Sequence, residues 1–394
     1  MALYLGGQKV TPIIEGANNS LGQFCIGNQQ VSFLRKHKES SGELHTVRVI
    51  DLDGTLLDEQ QLNEGDTYTI PTPPTHPCLT FHEWVATKPI TNNTVTVGKT
   101  NIQIGAVHKP SGTDGLYNFV VVIKTEYNNQ TVPIIPQSAF NFNVGISCPL
   151  TYRIEDVDYG TIILSTFIFD VPKAGTYYIP FYSDYEALFT AGKSIKFFHS
   201  SSDMTNIVGF IYPSNVTGEF DCSKKMISSS TEQENSLKFI GYPPNVTSIL
   251  APRYHLFHDM DTIIIPNSVN YALSLNKYGT TASSSAENLK YFIANCVFYS
   301  TVSGANSTGI YYGAGVENFH MDKSNQVIGQ NFFKGWANCL EYDFTDFESV
   351  PSLQGTDAFY GINPNCKIKV PAALEANWKA ANNWSTYADY IVGV

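Results

Sequence analysis

Apolar and polar residues along this chain follow two rhythms. In the first, short runs alternate with period two and turn residues cut them apart, the pattern of half-buried strands. Thr46-Val47-Arg48-Val49-Ile50-Asp51 alternates in this way, Asp53-Gly54 supplies a hairpin turn, and Thr55-Leu56-Leu57 begins the return strand. Thr67-Tyr68-Thr69-Ile70 predicts a further strand, stopped by the stiff Pro71-Thr72-Pro73-Pro74, and Leu79–Trp84 another. Alternating runs follow at Thr94–Val97, Asn101–Ala106, Tyr117–Lys124, Phe140–Ile146, Thr161–Phe169 and Gly175–Tyr182, with turns at Gly112–Gly115 and Lys173–Gly175. Strands at this spacing predict an immunoglobulin-like sandwich.

The second rhythm begins at Leu237. An apolar residue, a short variable step and an alternating apolar run recur at Leu237–Ile240, Met260–Pro266, Leu289–Ile293, Val316–Met321, Leu340–Phe344 and Ile368–Pro371. The starts at 237, 260, 289, 316, 340 and 368 lie 23, 29, 27, 24 and 28 residues apart. Each unit predicts one short strand and a turn segment that stacks on the next unit, which makes a solenoid. Pro371–Ala381 is the clearest helix signal, with Pro early and an Ala-rich continuation, placed where a cap would cover the solenoid's end.

Composition agrees with a mainly β chain. The 394 residues are 43% hydrophobic and only 15% charged, with 29 Gly and 20 Pro. That length predicts two to four modules. A net charge of −11 makes nucleic acid and anionic membranes poor partners. No stretch reaches the length of a membrane span, and Met1–Gly7 has neither the basic start nor the apolar core of a signal peptide. Seven scattered cysteines without a CxxC pair are read as buried thiols rather than as a disulfide framework or a zinc site.

Three groups of residues carry possible chemistry. Val49–Leu56 matches the DxDGT signature of the haloacid dehalogenase phosphatases, in which Asp51 would be the nucleophile and Asp53 the general acid. That reading needs a doubly wound fold, whereas the sequence after the turn is Pro-rich and then β-rich, so a strand, an Asp-Gly turn and a second strand suffice. His255, His258, Asp259 and Asp261 fall together in what the repeat register makes an inter-repeat turn. His76 and His82 flank Pro77-Cys78 without a convincing ligand set. No catalytic residue, metal ligand or cofactor site is assigned.

The final repeats resemble a known family. Leu340–Phe344, Ser349–Leu353, Asp357–Gly361, Asn365–Pro371 and Asn383–Asp389 look like the last unit of BspA-like (type 5) leucine-rich repeat proteins, in a version common in phages. The family's aromatic–Asn-Cys–Leu phrase is similar to Phe332–Leu340 and, more faintly, to Phe292–Cys296. Asp51–Trp84 is similar to the small β-grasp-like repeat found upstream in such proteins, and Leu3–Val10 resembles the N-terminus of phage tail or virion proteins.

The expected architecture is therefore an N-terminal arm (1–45), a small β-grasp-like module (46–90), an Ig-like β-sandwich (91–200), a linker (201–235) and an irregular leucine-rich-repeat solenoid with a capping helix (236–394). The resemblance implies a non-enzymatic bacteriophage virion protein of the tail, baseplate, fibre or head appendage, displaying its repeats for host attachment. It implies other virion proteins as partners through the arm, a host-surface glycan or protein as the distal partner, a homo-oligomer, and assembly in the host cytoplasm. Tyr311, Tyr312 and Trp336 are the expected surface-contact residues. The alternatives are a secreted or surface bacterial adhesin and the Asp51/Asp53 phosphatase.

Overall fold

The computed structural model describes residues 42–111, 119–135, 150–154, 157–162, 167–171, 173–182, 206–221, 237–250, 260–273, 288–299 and 315–394, and four short strands before them. Met1–Glu43 and Leu44–Val394 are separate units. In the first, Leu3–Leu5 pairs antiparallel with Gln8–Val10, and Gln23–Ile26 with Gln29–Ser32.

The second unit is mainly β and ends in a β-solenoid of about five turns. Every one of the repeated phrases carries a front strand: Phe239–Gly241, Thr262–Ile264, Tyr291–Ile293, Asn318–His320, Glu341–Asp343 and Lys367–Val370. Parallel pairing joins successive turns, for example Tyr342 to Ile368 and Ile263 to Phe292. Because side chains alternate along a strand, the middle residue of each turns inward. Ile240, Ile263, Phe292, Phe319, Tyr342 and Ile368 thereby form one buried column, which Ile391, paired with Ile368, extends. Burying each such side chain contributes about 1.5–3 kcal/mol, and aromatic pairs such as Phe292 on Phe319 and Phe333 on Phe359 add about 0.5–1.5 kcal/mol.

Each turn before the last holds a second strand that the phrase alone did not predict. Thr217–Asp221, Asn245–Leu250, Tyr271–Leu273 and Val297–Tyr299 form one parallel ladder, and Val327–Ile328 pairs with Ser352–Leu353 further on. Buried Asn325 ties neighbouring turns. Its Oδ1 accepts from the Phe298 N–H at 2.7 Å, and its Nδ2 donates to the Cys296 carbonyl at 3.0 Å. These bonds satisfy backbone groups that a solenoid turn would otherwise bury unpaired.

The expected capping helix is present as Ala372–Leu374, a 3-10 turn, followed by the α-helix Glu375–Ala380. Its Trp378 is fully buried and lies edge-on to Trp384 at 4.6 Å. Trp378 also packs on Phe344, and Trp384 on Phe359, which closes the apolar column. The chain then adds a last parallel strand, Ile391–Gly393, beside Lys367–Val370.

The solenoid begins earlier than the repeats suggest. Ile207–Ile211, within the expected 201–235 linker, pairs parallel with Phe239–Gly241 and antiparallel with Phe119–Thr125. It is the joint of a six-stranded sheet ordered Val157–Ile162, Leu150–Ile154, Gly175–Tyr182, Phe119–Thr125, Ile207–Ile211, Phe239–Gly241. Two glycines make the joint tight. A Cβ on Gly209 would stand 2.2 Å from Cζ of Phe239, and one on Gly241 2.8 Å from Cγ2 of Ile211. In the region expected to be a sandwich, Gln130–Ile135 and Phe167–Val171 form a separate antiparallel pair. The expected strand Phe140–Ile146 lies outside the described residues.

Ahead of this sheet lies a four-stranded mixed sheet ordered Leu56–Leu62, His45–Ile50, Ile102–Pro110, Leu79–Ala86. Its two central strands are parallel. Ile102–Pro110, expected in the 91–200 block, belongs here because both its faces are covered. Ile102, Ile104 and Ala106 pack on Val47, Val49, Tyr68 and Val95. Val107 on the other face joins Ile50, Val85 and the solenoid's Ile264 and Ile293.

That second face forms a seam. The strand and its N-terminal extension cross the solenoid's front strands in order. Gly105 sits where a Cβ would meet Ile264 at 2.8 Å. Gln103 donates to the Asn318 carbonyl at 3.2 Å, and the Asn101 N–H to Glu341 Oε1 at 2.7 Å. The Thr100 hydroxyl donates to Asp343 at 3.0 Å, and Lys369 Nζ to the Lys99 carbonyl at 2.7 Å. The neighbouring edge strand repeats the register, with Glu83 on Asn267, the Ala86 carbonyl on Asn295 and Lys88 on Asp346.

Candidate metal centre at the Asp51 turn

Asp51 closes the His45–Ile50 strand and opens the Asp-Gly turn. The turn is held by Asp51 N–H to the Thr55 carbonyl at 2.9 Å, Gly54 N–H to the Asp51 carbonyl at 3.0 Å, and Thr55 N–H to Asp53 Oδ1 at 2.9 Å. Gly54 has φ +85°, which suits glycine, and a Cβ there would lie 2.2 Å from Oγ1 of Thr262. The turn therefore docks directly on a solenoid front strand. The DxDGT phrase is, in place, a hairpin turn between antiparallel strands.

Two imidazoles approach the Asp51 carboxylate, and a tyrosine backs one of them. His76, at the end of the proline-stiffened segment, has Nε2 2.8 Å from Asp51 Oδ2. His108 follows a register irregularity at Val107/His108, where the opposing strand's pairing skips His82, and such irregularities re-aim side chains. Its Nδ1 lies 3.8 Å from Asp51 Oδ1. Its other nitrogen, Nε2, is 3.3 Å from the Pro74 carbonyl and so carries the donated proton in the neutral ring. Tyr178, from strand Gly175–Tyr182, places its hydroxyl 3.1 Å from His76 Nδ1. The two imidazoles meet edge-on at 4.9 Å.

The site is nearly closed. Side-chain exposure is 4% for Asp51, 1% for His108 and 13% for His76, so His76 forms its rim. The Asp51 hydrogen bond and charge raise His76 above the ordinary imidazole value against the effect of its burial. Burial pushes His108 below it, despite the nearby Asp51 charge. Burial beside Asp53 and Asp51 also raises the Tyr178 phenol. Asp51, His76 and His108 each offer one ligand atom, all within 4.8 Å of one another. Two imidazole nitrogens and a carboxylate suit a divalent transition-metal ion.

A second charged cluster lies in the seam. Asp343 accepts from Lys88 Nζ at 3.0 Å, and His320 Nδ1 lies 3.0 Å from the same oxygen. Its other oxygen accepts from the Thr345 N–H at 2.9 Å and hydroxyl at 2.6 Å. Burial opposes ionisation, but the His320 contact, the Lys88 charge and the Thr345 hydroxyl outweigh it and hold the carboxyl far below the usual carboxylate range. One turn on, buried Lys369 pairs with Glu341 at 2.9 Å. Burial raises the Glu341 carboxyl, with Lys369 pulling against it.

The residues singled out from sequence fare differently. Trp336, expected on the surface, is fully buried and meets Phe319 and Phe333 edge-on, because Phe332–Cys339 turns its rings into the solenoid core. Tyr311, Tyr312, His255, His258 and Asp259 lie outside the described residues. His76 does belong to a candidate ligand set, but with Asp51 and His108 rather than with His82. His108 and Tyr178 carry no local sequence signal, since each reaches the site through non-local strand pairing. No protein-family model matches the chain, nor does any curated protein or solved structure.

Proposed function

We propose that the chain is a non-enzymatic structural protein of a bacteriophage virion, in the tail, baseplate, fibre or head appendage, whose solenoid displays a surface for host attachment. The observation that carries this reading is a single apolar core running from Phe119 to Ile391, clamped along one side by the small module. Such a body transmits position and resists bending, which suits a projecting element. In this reading Met1–Glu43 is the anchor to other virion proteins, and the mixed sheet with parallel central strands is the β-grasp-like module. The solenoid is of the leucine-rich-repeat kind, several copies assemble together, and the distal partner is a host glycan or surface protein. Tyr360, 64% exposed with Lys334 over its ring at 5.3 Å, replaces Trp336 as an aromatic contact candidate. Asp51 supports the non-enzymatic reading, because a buried carboxylate already bonded to His76 is poorly placed to attack a phosphate ester.

Mass spectrometry of purified particles tests the assignment. The chain should be found at a fixed copy number, and the isolated chain should compete with particles for host cells. Particles that lack the chain, or magnesium-dependent phosphatase activity abolished by Asp51→Asn, would overturn it.

A further inference from the structure

Among the described residues, His108 Nδ1 has no hydrogen-bond partner although its side chain is 1% exposed. The Pro74 carbonyl takes the proton on Nε2, so Nδ1 presents a lone pair. It lies 3.8 Å from Asp51 Oδ1, which already accepts from the Leu52 N–H at 2.7 Å. A buried lone pair without a donor is unfavourable, and a cation held between it and the Asp51 carboxylate removes that cost. The third ligand atom, His76 Nε2, stands beside the same carboxylate at 2.8 Å.

We infer that Asp51, His76 and His108 bind one divalent transition-metal ion, with Zn²⁺ the best fit. A zinc ion about 2.0–2.1 Å from each ligand places tetrahedral ligand atoms about 3.3 Å apart. The separations are 2.8 Å from His76 Nε2 to Asp51 Oδ2 and 3.8 Å from His108 Nδ1 to Asp51 Oδ1, with all three ligand atoms within 4.8 Å of one another, so side-chain adjustment on binding closes the set. The outer contacts are those that metal-bound histidines use. His108 gives its second nitrogen to the Pro74 carbonyl, and His76 meets the Tyr178 hydroxyl. A fourth position is left to water. The ion would tie together the Asp-Gly turn, the proline segment and strand Ile102–Pro110, and thus fix the turn that seats on Thr262. The site is independent of the role in a virion.

The test uses the untagged full chain, stripped with a chelator and titrated with Zn²⁺ by calorimetry. Metal content is read by mass spectrometry, and circular dichroism confirms the fold of each variant. The expected result is one Zn²⁺ per chain and a raised melting midpoint, with Co²⁺ giving the intense visible bands of a four-coordinate site. His76→Gln, at the rim, and His108→Ala should each reduce stoichiometric uptake to zero and abolish the midpoint shift. His82→Ala should keep both. Absence of uptake by the folded wild-type chain would overturn the inference, as would one-to-one uptake retained by folded His76→Gln.

Discussion

The two ends of the seam solve one problem with opposite chemistry. Near the solenoid's first turns, its outward residues Ile264 and Ile293 meet Ile50, Val85 and Val107 in plain apolar contact. Two turns later the equivalent outward positions are Glu341 and Asp343, met by Asn101, Thr100 and Lys88. The apolar end gains from desolvation and tolerates small slips. The ionic end pays to dehydrate its charges and recovers that cost only when each has its partner. The charged end therefore sets the register in which the module lies on the solenoid, while the apolar end contributes adhesion.

Removing one charge should give the largest effect. Asp343→Ala takes the buried acceptor from Lys88, His320 and Thr100 and leaves Lys88 only the more exposed Asp346 as a carboxylate partner, and urea unfolding should show a loss of about 3–5 kcal/mol. The same carboxylate predicts an acid limit. Held below the ordinary range in the fold, it is protonated first in the unfolded chain, so its stabilisation is complete above about pH 4 and is lost as pH falls further. Melting followed from pH 6 to pH 2 should therefore drop in the wild type and flatten in Asp343→Asn. An unchanged slope in that variant would remove Asp343 from the account.

Gly54→Ala should come next, at about 1–3 kcal/mol, since it combines a positive φ with a clash against Thr262. A neutral result would mean that the turn does not seat on the solenoid. Ile293→Val, at the apolar end, should cost about 0.5–1.5 kcal/mol and leave the acid profile parallel to that of the wild type. If it changed the acid profile as much as Asp343→Asn, the two ends would not be chemically distinct.

Much of the scaffold was legible in the chain. Period-two alternation located His45–Ile50, Thr67–Thr69 and Gly175–Tyr182, and the repeated phrase located every front strand from Phe239 to Val370. Asp53-Gly54 announced its hairpin, and Pro371 the helical cap. The second strands were missed because pieces as short as Tyr271–Leu273 or Val327–Ile328 show no period of their own until a parallel neighbour pairs with them. Trp336 was misplaced because an aromatic in a turn carries no mark of facing inward.

Short-range steric preference and side-chain alternation determined where strands form, since both act within a few residues. Partner choice depended on the tertiary structure, because it rests on which surfaces end up covered. Glu341, Asp343 and Lys369 look like solvent-facing positions in any local window, and they are buried only because a module some 240 residues earlier lies across them. The Asp51 cluster arises in the same way. A turn, a proline segment and two strands bring Asp51, His76, His108 and Tyr178 from 25 to 102 residues apart into contact, and only the completed sheets hold them there.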